Sequence, residues 1–383
     1  MNPVTTSSAT TPTAETKAAQ PVRLQSLDAL RGFDMLLIAG GGAFISLLHG
    51  KTGLAWVDAM AMQLEHPTWH GFTFYDFIFP LFLFMAGVSL SFSLTNGLAR
   101  GTSHAELYRK VGIRMFVLIG LGILYKNAPL DIFTPSTIRY GSVLGRIGLA
   151  TFFTTVLYLN FSLRGRLIAV AVILLTYYAA LFLLPVPGFG AGDLSFEGNL
   201  MGWIDRQIMP GRLLQQTYDE LALSTQLPAF CLTILGSVAG DILRNTQSPA
   251  ATIRKLLLFG TGGVVLGLVW NLHLPINKHL WSGSFIALTA GMAFLFLTLF
   301  YVVIDLWRFS RWAFFFKVIG MNSLTIYLGY HFIDFNKSSQ LLFEGMYQHL
   351  PQPWHEVLNA LGAFGLVWLF LYFLYRNRIF LKV

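Results

Sequence analysis

Apolar runs of about twenty residues recur along this 383-residue chain, and nothing else constrains its fold as strongly. Coiled as a helix, a run of that length matches roughly 30 Å of bilayer hydrocarbon. Lipid offers the backbone no hydrogen-bond partners, so a spanning segment closes its own bonds, and these runs are too long for barrel strands. About ten are legible, over residues 27–49, 74–95, 111–125, 141–160, 166–185, 224–243, 255–272, 281–304, 313–333 and 357–375. The expected fold is all-α: a polytopic membrane bundle of about ten transmembrane helices. Composition agrees, since only 11% of residues are charged where a soluble domain carries roughly 25%.

The net charge of +8 would suggest nucleic acid or another anionic partner in a soluble protein. Here it has a topological meaning and implies no nucleic acid. With the N-terminus inside, eighteen of the 26 Lys and Arg collect in cytoplasmic segments and adjoining helix ends. That asymmetry places both termini in the cytoplasm. Residues 1–22, rich in Thr, Ser and Ala, read as a disordered cytoplasmic tail. They lack the apolar core of a signal peptide, so the first span is the insertion signal. Residues 23–383 read as a single transmembrane domain, and its long outer loop, 186–223, is placed to form a lid or one wall of a site. The single cysteine, Cys231, leaves no disulfide framework and no Cys-based metal site.

Ionisable groups at bilayer depth are costly and are usually kept for function. Asp28 and Arg31 stand three apart at the start of the first span, on one helical face. They form either an interfacial anchor or part of a site. The stretch EHPTWHGFTFYDFIFP brings Glu65, His66, Trp69, His70, Tyr75 and Asp76 into the second span from outside. Imidazole near neutral pH accepts or donates a proton, which suits a general base. His66 and His70 have the i, i+4 spacing of a helical zinc pair, but Pro67 and Gly71 disfavour a helix through them, so no metal is expected. Two further polar inserts bring Asn277, Lys278 and His279 to the outer mouth of the eighth span and Asn322 to the inner end of the ninth. An Asn in a span also serves simply to join helices. Arg146, inside the fourth span, needs a carboxylate, a phosphate or several carbonyls around it.

Six stretches in order, RLQSLDALRGFD (23–34), HPTWHGFTFYDFIFPLFLFMAGVS (66–89), VLGRIG (143–148), YDELALSTQLPAFCLTILGSVAGD (218–241), LPINKHLWSGSF (274–285) and GMNSLTIYLG (320–329), resemble the heparan-α-glucosaminide N-acetyltransferase family, in its bacterial inner-membrane branch. The likeness runs from about residue 23 to the C-terminus. It implies transfer of an acetyl group from cytosolic acetyl-CoA to the amine of a glucosamine residue across the membrane. The family's active-site histidine stands three residues before W-[HN]-G, which is His66 here. The animal branch has an Asn before its first-span glycine run, where this chain has Ile38 ahead of Ala39 and Gly40.

On this reading His66 is the base, or a nucleophile that carries the acetyl group, and Asp76 orients its ring or holds a sugar hydroxyl. Asp28, His70, Asn277, Lys278 and Asn322 are candidate acceptor contacts; Asn277, Lys278 and Asn322 are also candidate donors to the carbonyl oxygen. Arg31 and Arg146 are candidates for the phosphates of acetyl-CoA. Gly41 and Gly42 would let its thin arm approach the backbone. The implied partners are an aminosugar and the lipid bilayer, with room for a homodimer. Two alternatives remain, O-acylation of a cell-surface polysaccharide and secondary sugar transport. Transport predicts interrupted helices in corresponding halves, of which the sequence gives no sign.

Overall fold

A computed structural model describes residues 24–246 and 248–381, without the side chain of His331. The tail expected over 1–22 lies outside the described residues. In chain order the helices are α1 (Gln25–Leu36), α2 (Ala43–Ser46), α3 (Ala55–Met62), α4 (Phe74–Ala99), α5 (His104–Lys126), α6 (Val143–Asn160) and α7 (Leu163–Leu183). A two-residue hairpin, β1 (Pro185–Val186) with β2 (Gly190–Ala191), opens the long outer loop, which also holds the short helix α8 (Leu200–Ile208). Then follow α9 (Gln226–Asn245), α10 (Pro249–Trp270), α11 (Gly283–Phe300), α12 (Ala313–Gly320), α13 (Ser323–Phe332), α14 (Phe335–Tyr347) and α15 (Pro353–Arg376).

The chain is thus an all-α polytopic bundle. Among the described residues seven helices are long and apolar enough to cross a membrane: α4, α6, α7, α9, α10, α15, and α11 with the turn that extends it to Leu306. Helix α5 runs from His104 to Lys126, longer than the apolar core 111–125, because Ser103 caps it and its first turns carry Arg109 and Lys110.

The first and ninth expected spans are interrupted, contrary to the sequence reading. Between α1 and α2 the backbone leaves helical geometry at Ala39 and Gly40, where Gly40 has φ +75°, a conformation that L side chains resist. The Tyr330 hydroxyl donates to the carbonyl that this break frees on Ala39. Between α12 and α13 the interruption falls at Asn322. Both Asn322 side-chain polar atoms are buried without a hydrogen-bond partner. A small cavity of about 110 Å³ lined by Ile38, Ala39, Tyr125, Ile326, Tyr327 and Tyr330 lies beside the first break. The breaks fall in the first and ninth spans, not in corresponding halves, so they are not the pairing that a transporter built from repeats requires.

Helix α14, in a stretch read as outer loop, packs antiparallel to α15. Phe335 meets Phe370 with ring centroids 6.1 Å apart, and the Ser339 hydroxyl donates to the Asn359 carbonyl at 2.9 Å. Its 13 residues extend about 20 Å, too short to cross alone.

Helices α4 and α9 form the centre of the bundle. A Cβ on Gly87 would lie 1.9 Å from the Thr233 carbonyl oxygen, and one on Gly236 would lie 2.0 Å from that of Phe84. The two backbones therefore touch, as small residues permit in membranes. Near the other end of α9, Arg166 pairs with Asp241, which also accepts from the Tyr158 hydroxyl at 2.8 Å.

Candidate active site

Asp76 sits in the first turn of α4, and its Oδ2 accepts from the Thr73 backbone N–H at 3.1 Å. A carboxylate there satisfies an otherwise unpaired donor and is favoured by the helix dipole. The preceding loop folds back because the Thr73 hydroxyl donates to the Glu65 carbonyl at 2.6 Å, and Gln63 accepts from the Phe74 N–H at 3.0 Å. That fold brings His66, ten residues upstream, to Asp76: Nδ1 lies 2.7 Å from Oδ1. Asp76 is fully buried, whereas the His66 side chain is 42% exposed. The segment from His66 to His70 is turn and bend, not helix.

The third member arrives from 212 residues away. Lys278 Nζ lies 3.1 Å from His66 Nε2 and 3.5 Å from Asp76 Oδ1. Its turn is built by Asn277, which is fully buried; its Oδ1 accepts from the Leu280 N–H at 2.8 Å. Asn277 Nδ2 also donates to His70 Nδ1 at 3.1 Å, and the Gly71 N–H donates to the Ile276 carbonyl at 2.9 Å. The two loops are thereby clasped together. Burial, with the charge of His279 beside it, pushes the His70 imidazole below its ordinary value, towards the neutral ring.

An ionised carboxylate only accepts hydrogen bonds. Asp76 therefore holds the proton of His66 on Nδ1 and leaves the lone pair on Nε2, with Lys278 Nζ beside the ring, 3.1 Å from Nε2 and 3.3 Å from Nδ1. Such an imidazole can take a proton or attack a carbonyl, with an ammonium donor already beside it.

Around this triad lies an aromatic wall. Trp69 stacks on His279 with centroids 5.3 Å apart, and Trp69, Phe196 and Tyr218 pack edge to face at 5.2–5.4 Å. Phe196 comes from the long outer loop, and the Trp69 Nε1–H donates to the Leu194 carbonyl at 2.8 Å. The loop thus packs against Trp69, three residues along the chain from His66. Glu220, which the sequence reading passed over, approaches His279 with Oε2 3.4 Å from Nδ1. The available signal was the acidic pair Asp219-Glu220 in a chain of only eighteen acids.

The remaining candidates lie apart from the triad. Arg146 is almost wholly buried in α6, with its guanidinium 4.5 Å from the Trp281 ring centroid and donating to Thr225 at 2.6 Å and Gln226 at 3.2 Å. A phosphate would have to enter that packed setting, although Nη1 is left without a partner. Arg31 Nη1 lies 3.9 Å from Asp28, and Nη2 donates to the Ser89 hydroxyl at 2.5 Å. Gly41 and Gly42 follow the break after α1. Asn322 lies at the second break. A cleft of about 320 Å³ lined by Lys126, Asn127 and Arg212 among others does not include His66. The triad is located by its chemistry, not by volume.

A family model described as heparan-alpha-glucosaminide N-acetyltransferase, catalytic, matches residues 23–275, ending just short of Lys278. The heparan-alpha-glucosaminide N-acetyltransferase of Homo sapiens is 28% identical over 425 aligned residues, covering 96% of this chain and 61% of the relative. That of Mus musculus is 28% identical over 428, covering 96% and 62%. The chain therefore spans about three fifths of the length of these curated relatives.

Proposed function

The chain belongs to the heparan-alpha-glucosaminide N-acetyltransferase catalytic family, and on that premise we propose that it moves an acetyl group from cytosolic acetyl-CoA to the amine of glucosamine, or of a glucosamine-containing saccharide, across a bacterial inner membrane. The observation that carries this reading is the orientation of His66. Its Nδ1 is bound to buried Asp76 at 2.7 Å, which leaves Nε2 as the free ring nitrogen, and Lys278 Nζ lies beside the ring, 3.1 Å from Nε2 and 3.3 Å from Nδ1.

Bound acetyl-CoA supplies a thioester carbonyl as electrophile. His66 Nε2 takes the proton that the sugar amine must lose to attack, a contribution of about 10² to 10⁴-fold for a positioned base. Asp76 stabilises the imidazolium formed. Lys278 is close enough to donate instead to the carbonyl oxygen as negative charge gathers there. The new bond is C–N, the broken bond is C–S, and the proton that the imidazole takes from the amine passes to the departing sulfur, which leaves as the thiol of CoA. If His66 attacks first, the same Nε2 carries the acetyl group. At the other end, Arg31 and Ser89 offer donors suited to the phosphates of acetyl-CoA, and Gly41 and Gly42, just after the break that follows α1, would let its thin arm approach the backbone.

Purified protein in detergent, given labelled acetyl-CoA and glucosamine, is expected to form labelled N-acetylglucosamine and to leave glucose unlabelled. Equal labelling of glucose would favour O-acylation. The absence of any acetylated sugar would overturn the proposal.

A further inference from the structure

Beside the triad stands a carboxylate for which the reaction has so far had no use. Glu220 lies in the segment just before α9, and its position is rigidly set. Its neighbour Asp219 pairs with Arg139 through two contacts, 2.6 Å to Nε and 2.7 Å to Nη2. Asp219 also accepts from the Leu214 N–H at 3.1 Å and the Leu221 N–H at 2.9 Å, closing the turn around it. The Glu220 carbonyl accepts from the Thr225 hydroxyl at 3.0 Å.

The Glu220 side chain keeps 21% of its surface exposed, recessed but reachable. Its contact with His279 is long, at 3.4 Å, while the same Nδ1 is only 2.7 Å from the Tyr218 hydroxyl. His279 is thus shared between Tyr218 and Glu220, with the closer contact to Tyr218. Burial alone would raise the Glu220 carboxyl, but the hydrogen bond with His279 and the charges of Lys278, His279 and Arg146 outweigh it and hold the group at about 2. The carboxylate is therefore ionised throughout the working range. A recessed anion beside an aromatic wall, next to the lysine that touches the base, suits a small organic cation with an apolar body.

We infer that Glu220 selects the acceptor by pairing with its ammonium group, delivering a charged aminosugar to His66 and discriminating against sugars that carry only hydroxyls. This rests on the acetyl-transfer reading above and adds the residue that recognises the amine. The pairing occurs before chemistry; His66 then removes the proton that makes the amine a nucleophile. Glu220 is a binding residue in this scheme and takes no proton.

The test is steady-state kinetics of Glu220→Gln against the unmodified protein, with glucosamine and acetyl-CoA varied separately. An aminosugar amine titrates at about pH 8, as α-amino groups do. Near pH 7 the KM for glucosamine should rise about 10- to 100-fold, the loss of one charge-assisted contact, with the KM for acetyl-CoA unchanged. At pH 9, where the acceptor is neutral, the ratio between the two proteins should fall towards one. Glu220→Asp, which keeps the charge, should stay within a few-fold of the unmodified protein. An unchanged KM for glucosamine, an equal effect at both pH values, or a loss that extends to the acetyl-CoA KM would each overturn the assignment. If the unmodified protein makes no N-acetylglucosamine, the functional reading itself fails; if it does and Glu220→Gln behaves like it, only the Glu220 assignment fails.

Discussion

Replacing His66 with Ala should lower kcat/KM for acetyl transfer to glucosamine by at least about 10² to 10⁴-fold, the range for a positioned proton acceptor. The protein should still fold. The imidazole is 42% exposed and its loss opens no core cavity. Asp76 is a poorer test, because its carboxylate also accepts from the Thr73 N–H at the start of α4, and losing such a cap costs about 1 kcal/mol of stability. Thermal unfolding in detergent alongside initial rates separates the two effects. His66→Ala is expected to fold and to melt somewhat below the unmodified protein, since buried Asp76 loses one partner and keeps Lys278 at 3.5 Å and the Thr73 N–H, while its activity falls far more than its stability. A variant that folds and transfers acetyl at the normal rate would remove His66 from the mechanism.

The largest expected loss of stability follows from Asp219→Ala. Asp219 and Arg139 are both buried and bidentately paired. Removing one partner leaves a guanidinium without its counter-charge, at a cost of about 3–5 kcal/mol. The same change releases the Leu214 and Leu221 amides and so loosens the segment that carries Glu220. The double variant Arg139→Met with Asp219→Leu removes both charges and should recover part of the lost melting temperature. A double variant less stable than Asp219→Ala would show that the pair acts through something other than charge burial.

How much of this was legible in the sequence depended on the range of the interaction. The runs at 74–95, 141–160, 166–185, 224–243, 255–272, 281–304 and 357–375 reappear as unbroken helices, because length and apolarity alone decide them. The glycine run 40–42 marked the place of the break after α1, but not that the helix ends there or that Gly40 is the residue that takes φ +75°. The stretch 336–350 left room for an eleventh half-span, and the helix found at 335–347, with 13 residues, is too short to cross alone. In the site, His66 and Asp76 stand close enough in sequence to be suspected together, and the polar insert at 274–285 made Lys278 conspicuous. That Lys278 reaches His66 is a fact of tertiary packing, fixed by the Gly71–Ile276 bond and the Asn277 turn. Arg146 was conspicuous for the right reason, a charge inside a span, but its partners proved to be Trp281, Thr225 and Gln226. Glu220 escaped notice because an acid in a loop looks ordinary until its neighbours are known.

The central claim is that an imidazole on the outer face promotes transfer of an acetyl group supplied from the opposite compartment. Reconstituted vesicles with acetyl-CoA sealed inside and glucosamine only outside test it most directly. The account predicts N-acetylglucosamine in the external medium, and none from vesicles carrying His66→Ala. Product that forms only when both substrates share one compartment would contradict it.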